Sequence, residues 1–180
     1  RDELCDFFQK NYQANFMTLV LEGPQSLTEL ENLANSHFSK VKSNGIAKAE
    51  IIQPLYLPQH QQKWISVQPV KNDQQLIISF AMPSIDKFYR QKPESILAYL
   101  IGHEGPGSIL SLLKSKQWAL ALTAGSGING SNFKDFNISI SLSELGAKNI
   151  TAIVSTVFSY LDLLKQAPLN EQYYHEKKAL

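Results

Sequence analysis

A chain of 180 residues, 43% hydrophobic and 18% charged, has the composition of a soluble globular protein and enough apolar material for one sizeable core, or a small lobe and part of another. A net charge of +1, with no Lys/Arg run longer than Lys177-Lys178, argues against nucleic acid or an anionic membrane as partner. One cysteine, Cys5, excludes an internal disulfide, and the most apolar stretch, residues 150–164, is interrupted by Ser155, Thr156, Ser159 and Asp162 and is too short to span a bilayer.

In chain order, Leu4, Phe7, Phe8 and Tyr12 recur at helical spacing and predict a short amphipathic helix over residues 1–12. Residues 15–22 alternate and are β-rich up to the Gly23-Pro24 turn, so a strand is expected there. Ser26 and Glu29 form a capping box ahead of Leu27, Leu30, Leu33, Ala34, His37, Phe38 and Val41, which lie on one helical face. Ser43-Asn44-Gly45 stops that helix. Residues 46–62, with Pro54 and Pro58, read as an extended linker. The expected organisation is therefore a first lobe over residues 1–45, a linker over 46–62 and a second lobe over 63–180.

Residues 63–70 and 74–82 read as two strands around Lys71-Asn72-Asp73, as a hairpin or adjacent pair. Pro93 suits the first turn of a helix carrying Ile96, Leu97, Leu100 and Ile101. Gly105-Pro106-Gly107 breaks it, and Ser108 is placed to cap a helix over 109–116. A strand over 118–124 ends at Gly125-Ser126-Gly127, and residues 133–142 alternate with Phe136, Ile138, Ile140 and Leu142 on one face. Residues 145–166 predict the longest helix, and 171–180 a last one. Without strict β-α alternation, the expected class is α+β, a mixed or antiparallel sheet with helices packed on one face. Arg1 in place of Met and a helix running to the last residue lead to the expectation of a piece of a larger polypeptide.

The chemistry converges on Gly102-His103-Glu104-Gly105-Pro106-Gly107-Ser108. A zinc-peptidase helix needs H-E-x-x-H or its inverse H-x-x-E-H. Gly107 stands where the first form needs its second His, and Pro106 and Gly107 where the inverse needs Glu and His. His175-Glu176 fails likewise, at Ala179. None of His37, His60, His103 and His175 lies three to five residues from another His or from Cys5, so no local zinc pair forms. Neither a G-x-S-x-G elbow nor a phosphate loop is present. On the residues alone, no catalytic and no metal-binding set is expected.

The string from Ile101 to Ser108, followed by Leu112-Leu113-Lys114-Ser115-Lys116 and Trp118, resembles the second domain of the insulinase family, the large inverted-motif zinc peptidases. The resemblance extends over nearly the whole chain. Tyr12-Gln13-Ala14-Asn15 with Met17, Leu19 and Gly23 is similar to a late strand of that family's first domain, and residues 26–41 to the helix after it. Residues 76–83 and Pro93 also follow the family pattern. The resemblance implies a processing-peptidase-like α+β fold, with residues 1–45 closing the first, catalytic-type domain and 63–180 forming most of the non-catalytic second one. Zinc ligands and general base would lie upstream, so the intact parent would be a zinc metalloendopeptidase and this segment inactive.

The resemblance also implies that the segment lines a peptide-enclosing chamber, with peptide substrates and the remaining domains of the same polypeptide as partners. Its substrate-anchoring exosite, carried over residue by residue, falls on Gly102, Glu104, Leu122, Ala124 and Ser126. Tyr99 stands where an exosite-bearing member has His, Ala124 where it has Gly, and Ser126 where it has Gln. Glu104 has two readings, a partner for a peptide's terminal ammonium or a carboxylate at the start of the helix after Ser108. The alternative function is an inactive assembly or binding module of a related non-peptidase protein. Bacterial members of the family are periplasmic and others cytosolic, and the sequence assigns no compartment.

Overall fold

A computed structural model describes residues 1–45, 47, 50–71, 73–167 and 171–179. It divides into two compact units, Arg1–Glu50 and Ile51–Leu180. Of the expected linker, residues 46, 48 and 49 lie outside the described residues, as do Asn72 of the expected turn and Leu180 of the expected last helix.

The first unit contains helix α1 (Asp2–Asn11), a 3-10 turn at Ala14–Phe16 and helix α2 (Leu27–Phe38). The capping box forms as read: the Glu29 amide donates to Ser26 Oγ at 3.3 Å, and the Ser26 amide donates to Glu29 Oε2 at 2.9 Å. These bonds satisfy amides that the first turn of a helix leaves unpaired. Hydrogen bonds from the Ser26 hydroxyl and then its amide hold the Glu29 carboxyl below its ordinary range. The Ala14 amide donates to Lys42 O at 2.8 Å, tying the segment after α2 to the turn after α1. No strand forms over residues 15–22. Met17 has extended backbone (φ −111°, ψ 148°), but residues 17–22 have no ladder partner among the described residues. Alternation prepares a strand; pairing makes one.

The second unit is built on strands β1 (Gln75–Met82), β2 (Ala119–Asn129) and β3 (Lys134–Leu142). They form an antiparallel sheet in the order β1-β3-β2. Helices α3 (Pro93–Gly102), α4 (Ile109–Ser115), α5 (Glu144–Ala147), α6 (Ile150–Gln166) and α7 (Glu171–Ala179) complete it. Register explains the core. Leu76, Ile78 and Phe80 of β1 oppose Ile140, Ile138 and Phe136 of β3, which in turn oppose Leu122, Ala124 and Ser126 of β2. With a side-chain period of two, these residues share one face. Ile101 of α3, Ile109, Leu110 and Leu113 of α4, and Ile153 and Val157 of α6 pack on that face. The other face carries Asn137, Ser139, Ser141 and Thr123, so the α+β arrangement with helices on one face is the observed one.

Three expectations are corrected. Residues 63–70 form no strand, and Trp64, Ile65, Val67 and Val70 are exposed; β1 pairs with β3 alone among the described residues. β2 does not stop at Gly125 but runs through the glycines to Asn129. A bulge there sets Gly127 and Ile128 against Asp135, and glycine suits such a site. The long helix is two helices. Lys148 and Asn149 separate α5 from α6, and Asn149 Nδ2 donates to Leu145 O at 2.8 Å, a side-chain bond that competes with helix continuation. Within α5, a Cβ on Gly146 would lie 1.9 Å from Trp118 O, so only glycine permits that close approach. No helix of the described residues is long and apolar enough to cross a membrane.

Tyr56 lies against the start of β3. Tyr56 OH donates to Asp135 Oδ2 at 3.4 Å, and its ring meets Phe133 edge-on at 5.8 Å. Burial first, and then the Asp135 carboxylate, push the Tyr56 phenol up.

Candidate peptide-binding edge

The Gly102–Ser108 string is a turn between two helices. Pro93 opens α3 at its first position, where a missing N–H costs nothing. The helix ends at Gly102, and His103 turns to extended backbone (φ −61°, ψ 139°). The Ser108 amide donates to Gly105 O at 3.2 Å across Pro106 and Gly107. Gly107 has φ +84°, the third-position angle of a type II turn, with Pro before it. The Gly105 amide donates to His103 Nδ1 at 3.1 Å, which gives that imidazole a structural task.

Ser108 then caps α4, its Oγ accepting from the Ser111 amide at 3.1 Å. This bears on Glu104. The cap of α4 is the serine, while Glu104 is exposed and makes no hydrogen bond or ion pair among the described residues.

The five residues carried over as an exosite fall on two elements that meet. A Cβ on Gly102 would lie 3.9 Å from the Ala124 amide nitrogen, so the end of α3 sits against the backbone of β2. Leu122, Ala124 and Ser126 alternate along the helix-facing side of β2. Their side chains differ: Leu122 is 4% exposed and belongs to the core, Ala124 is half-buried and Ser126 exposed. Leu122 therefore offers a peptide its backbone rather than its side chain. β2 is an edge strand, with β3 on one side and no strand on the other among the described residues. An unpaired edge is a template for another extended chain.

One cavity lies over β2 and β3, another beside the Gly102–Ser108 turn. The first, of about 320 Å³, is lined by Thr123, Ala124, Gly125, Ser126, Asn137 and Ser139. The other, of about 280 Å³, is lined by residues that include Tyr99, His103, Ser108, Tyr160 and Tyr173. Tyr99 OH donates to Glu176 Oε2 at 2.8 Å, and Gln172 Nε2 donates to Glu176 Oε1 at 2.8 Å. The Tyr99 bond chiefly holds the Glu176 carboxyl below its ordinary range and, reciprocally, raises the Tyr99 phenol. Tyr160 is raised first by burial. Sequence reasoning missed Asn137, Ser139, Tyr160, Tyr173 and Glu176. The polar alternation of β3 signals the first two; nothing local signals Tyr160 and Tyr173, which reach the cavity from α6 and α7.

Among the described residues, no three His, Cys, Asp or Glu side chains come together in a way that would hold a metal ion. The donors among the described residues do not form a zinc-binding set.

The family profile described as the Peptidase M16 inactive domain matches residues 1–180. The A-factor-processing enzyme of Saccharomyces cerevisiae (strain ATCC 204508 / S288c) is 35% identical over 176 residues, 98% of this chain and 17% of that enzyme. Nardilysin of Rattus norvegicus is 35% identical over 180 residues, 96% of this chain and 15% of its own length. Insulin-degrading enzyme of Homo sapiens is 33% identical over 180 residues, 100% of this chain and 18% of its own length. The crystal structure of pitrilysin superposes with a TM-score of 0.85 at 29% identity, covering 97% of this chain and 19% of that one. The chain thus spans less than a fifth of the length of each of these relatives. With the profile matching residues 1–180 and the fold agreeing over 97% of the chain, the chain belongs to the insulinase-type M16 peptidase family and matches its inactive domain.

Proposed function

We propose that this chain is a non-catalytic wall of a peptide-enclosing chamber in a zinc metalloendopeptidase, and that it holds the N-terminal end of the peptide being cut. The observation that carries the reading is the unpaired edge of β2 lying against the end of α3. A peptide laid along β2 gains main-chain hydrogen bonds that do not depend on side chains. This tolerates Ala124 and Ser126 in place of Gly and Gln. Glu104, exposed and free of internal bonds among the described residues, meets the peptide's terminal ammonium in a charge-assisted contact. Zinc, with its water-activating chemistry, belongs to another part of the polypeptide.

The test is binding by the full-length polypeptide of one peptide with a free N-terminus and the same peptide N-acetylated. Glu104→Ala should weaken the free form by roughly ten-fold, the scale of one charge-assisted bond, and leave the acetylated form unchanged. Equal loss for both would assign Glu104 to the loop alone. Absence of peptide binding altogether would favour an assembly module instead.

A further inference from the structure

We propose that the tyrosine-lined cavity between α3, α6 and α7 is a second subsite, which takes the ammonium or guanidinium of a basic side chain on the bound peptide. The inference rests on the peptide-holding reading and adds a residue preference to it. Tyr99 from α3, Tyr160 from α6 and Tyr173 from α7 converge on one space with His103 and Ser108 of the Gly102–Ser108 turn. At about 280 Å³ it falls just below the range of small-molecule sites, which begins near about 300 Å³, and suits one long side chain. It opens beside the turn that holds the peptide end, so one chain can reach both.

The lining selects for positive charge. Tyr99 OH is committed to Glu176 Oε2 at 2.8 Å, and Tyr160 OH donates to Leu100 O at 3.3 Å. A phenol that has given its proton away retains only acceptor capacity. Ring faces attract cations, most strongly where water is excluded. None of the described lining residues is Lys or Arg, His103 is the one ionisable base among them, and the Glu176 carboxylate accepts from the Tyr99 hydroxyl. The chain itself supplies a precedent: Lys177 Nζ lies 5.9 Å from the centroid of the Tyr99 ring. An incoming basic side chain competes with that resident ammonium.

The experiment uses the full-length polypeptide under a metal chelator, so that peptides stay intact, and labelled peptides that differ only in lysine against norleucine at one position. Tyr173→Leu, at an exposed residue, should weaken the lysine peptide by about five-fold, within the range of a cation–ring contact, and leave the norleucine peptide unchanged. Glu176→Gln keeps an acceptor for Tyr99 and should act in the same direction. Lys177→Met should strengthen the lysine peptide, an effect that no purely structural role of Tyr99 produces. Equal losses for both peptides, or no change in either, would overturn the subsite. If both peptides bind and Glu104→Ala still separates free from acetylated ends, the failure is confined to the subsite; if neither peptide binds the unmodified protein, the peptide-holding reading fails with it.

Discussion

The two compact units were given similar local instructions and came out differently. In Arg1–Glu50, α2 has a complete capping box, and both helices carry apolar stripes, yet neither helix has a buried residue and Leu27 is 86% exposed. In Ile51–Leu180, helices capped by Ser108 and Ser143 pack with α6 onto a sheet whose Ile138 and Ile140, with Ile153 and Val157, are fully buried. Caps and periodicity make helices. A core needs elements far apart in sequence to meet, as β1, β3 and α6 do.

Substitutions should expose that contrast. The largest effect is expected at Ile140→Ala, which leaves a cavity between sheet and helices and should cost about 3 kcal/mol of stability. Leu27→Ala, the comparable change in the first unit, should cost about 0.5 kcal/mol or less; urea midpoints of the two variants measure the difference. Next comes Gly146→Ala, where the added methyl meets a fixed carbonyl at 1.9 Å and should cost about 2 kcal/mol. Gly23→Ala meets only the end of the flexible Gln25 side chain and should be much cheaper.

The smallest effect is electrostatic. Glu29 and Glu176 both have folded pKa values below the ordinary 4.5, held there chiefly by hydrogen bonds from Ser26 and Tyr99. A depressed carboxyl stabilises the fold above its unfolded pKa and loses that contribution as pH falls through the folded value. Amide exchange in α2 and α7 should therefore quicken relative to the core of β3 as pH is lowered below about 4.5. Unchanged ratios would show that neither carboxylate secures its helix.

The same contrast explains what was legible in the sequence. Ser26, Pro93 and Ser108 marked helix starts because caps act within one turn, and the alternation of Phe136, Ile138 and Ile140 marked a half-buried strand. Residues 15–22 and 63–70 also read as strands but have no ladder partner among the described residues, and no local pattern reports a partner's absence. Gly125 and Gly127 looked like a boundary because a bulge and a strand end use the same residue. The turn at 102–108 was readable from Gly-Pro-Gly. The approach of Gly102 to Ala124 was not, since it depends on α3 lying beside β2. Tyr99 and Glu176, 77 residues apart, became neighbours only through α7.

Hydrogen exchange of the full-length polypeptide, with and without a bound peptide, tests the central claim most directly. If the edge of β2 receives peptide, amides within residues 119–129 and the 102–108 turn should exchange more slowly in the complex, while those of β1 at the opposite edge stay unchanged. Binding that leaves β2 as fast as before, or that slows β1 instead, would contradict the account.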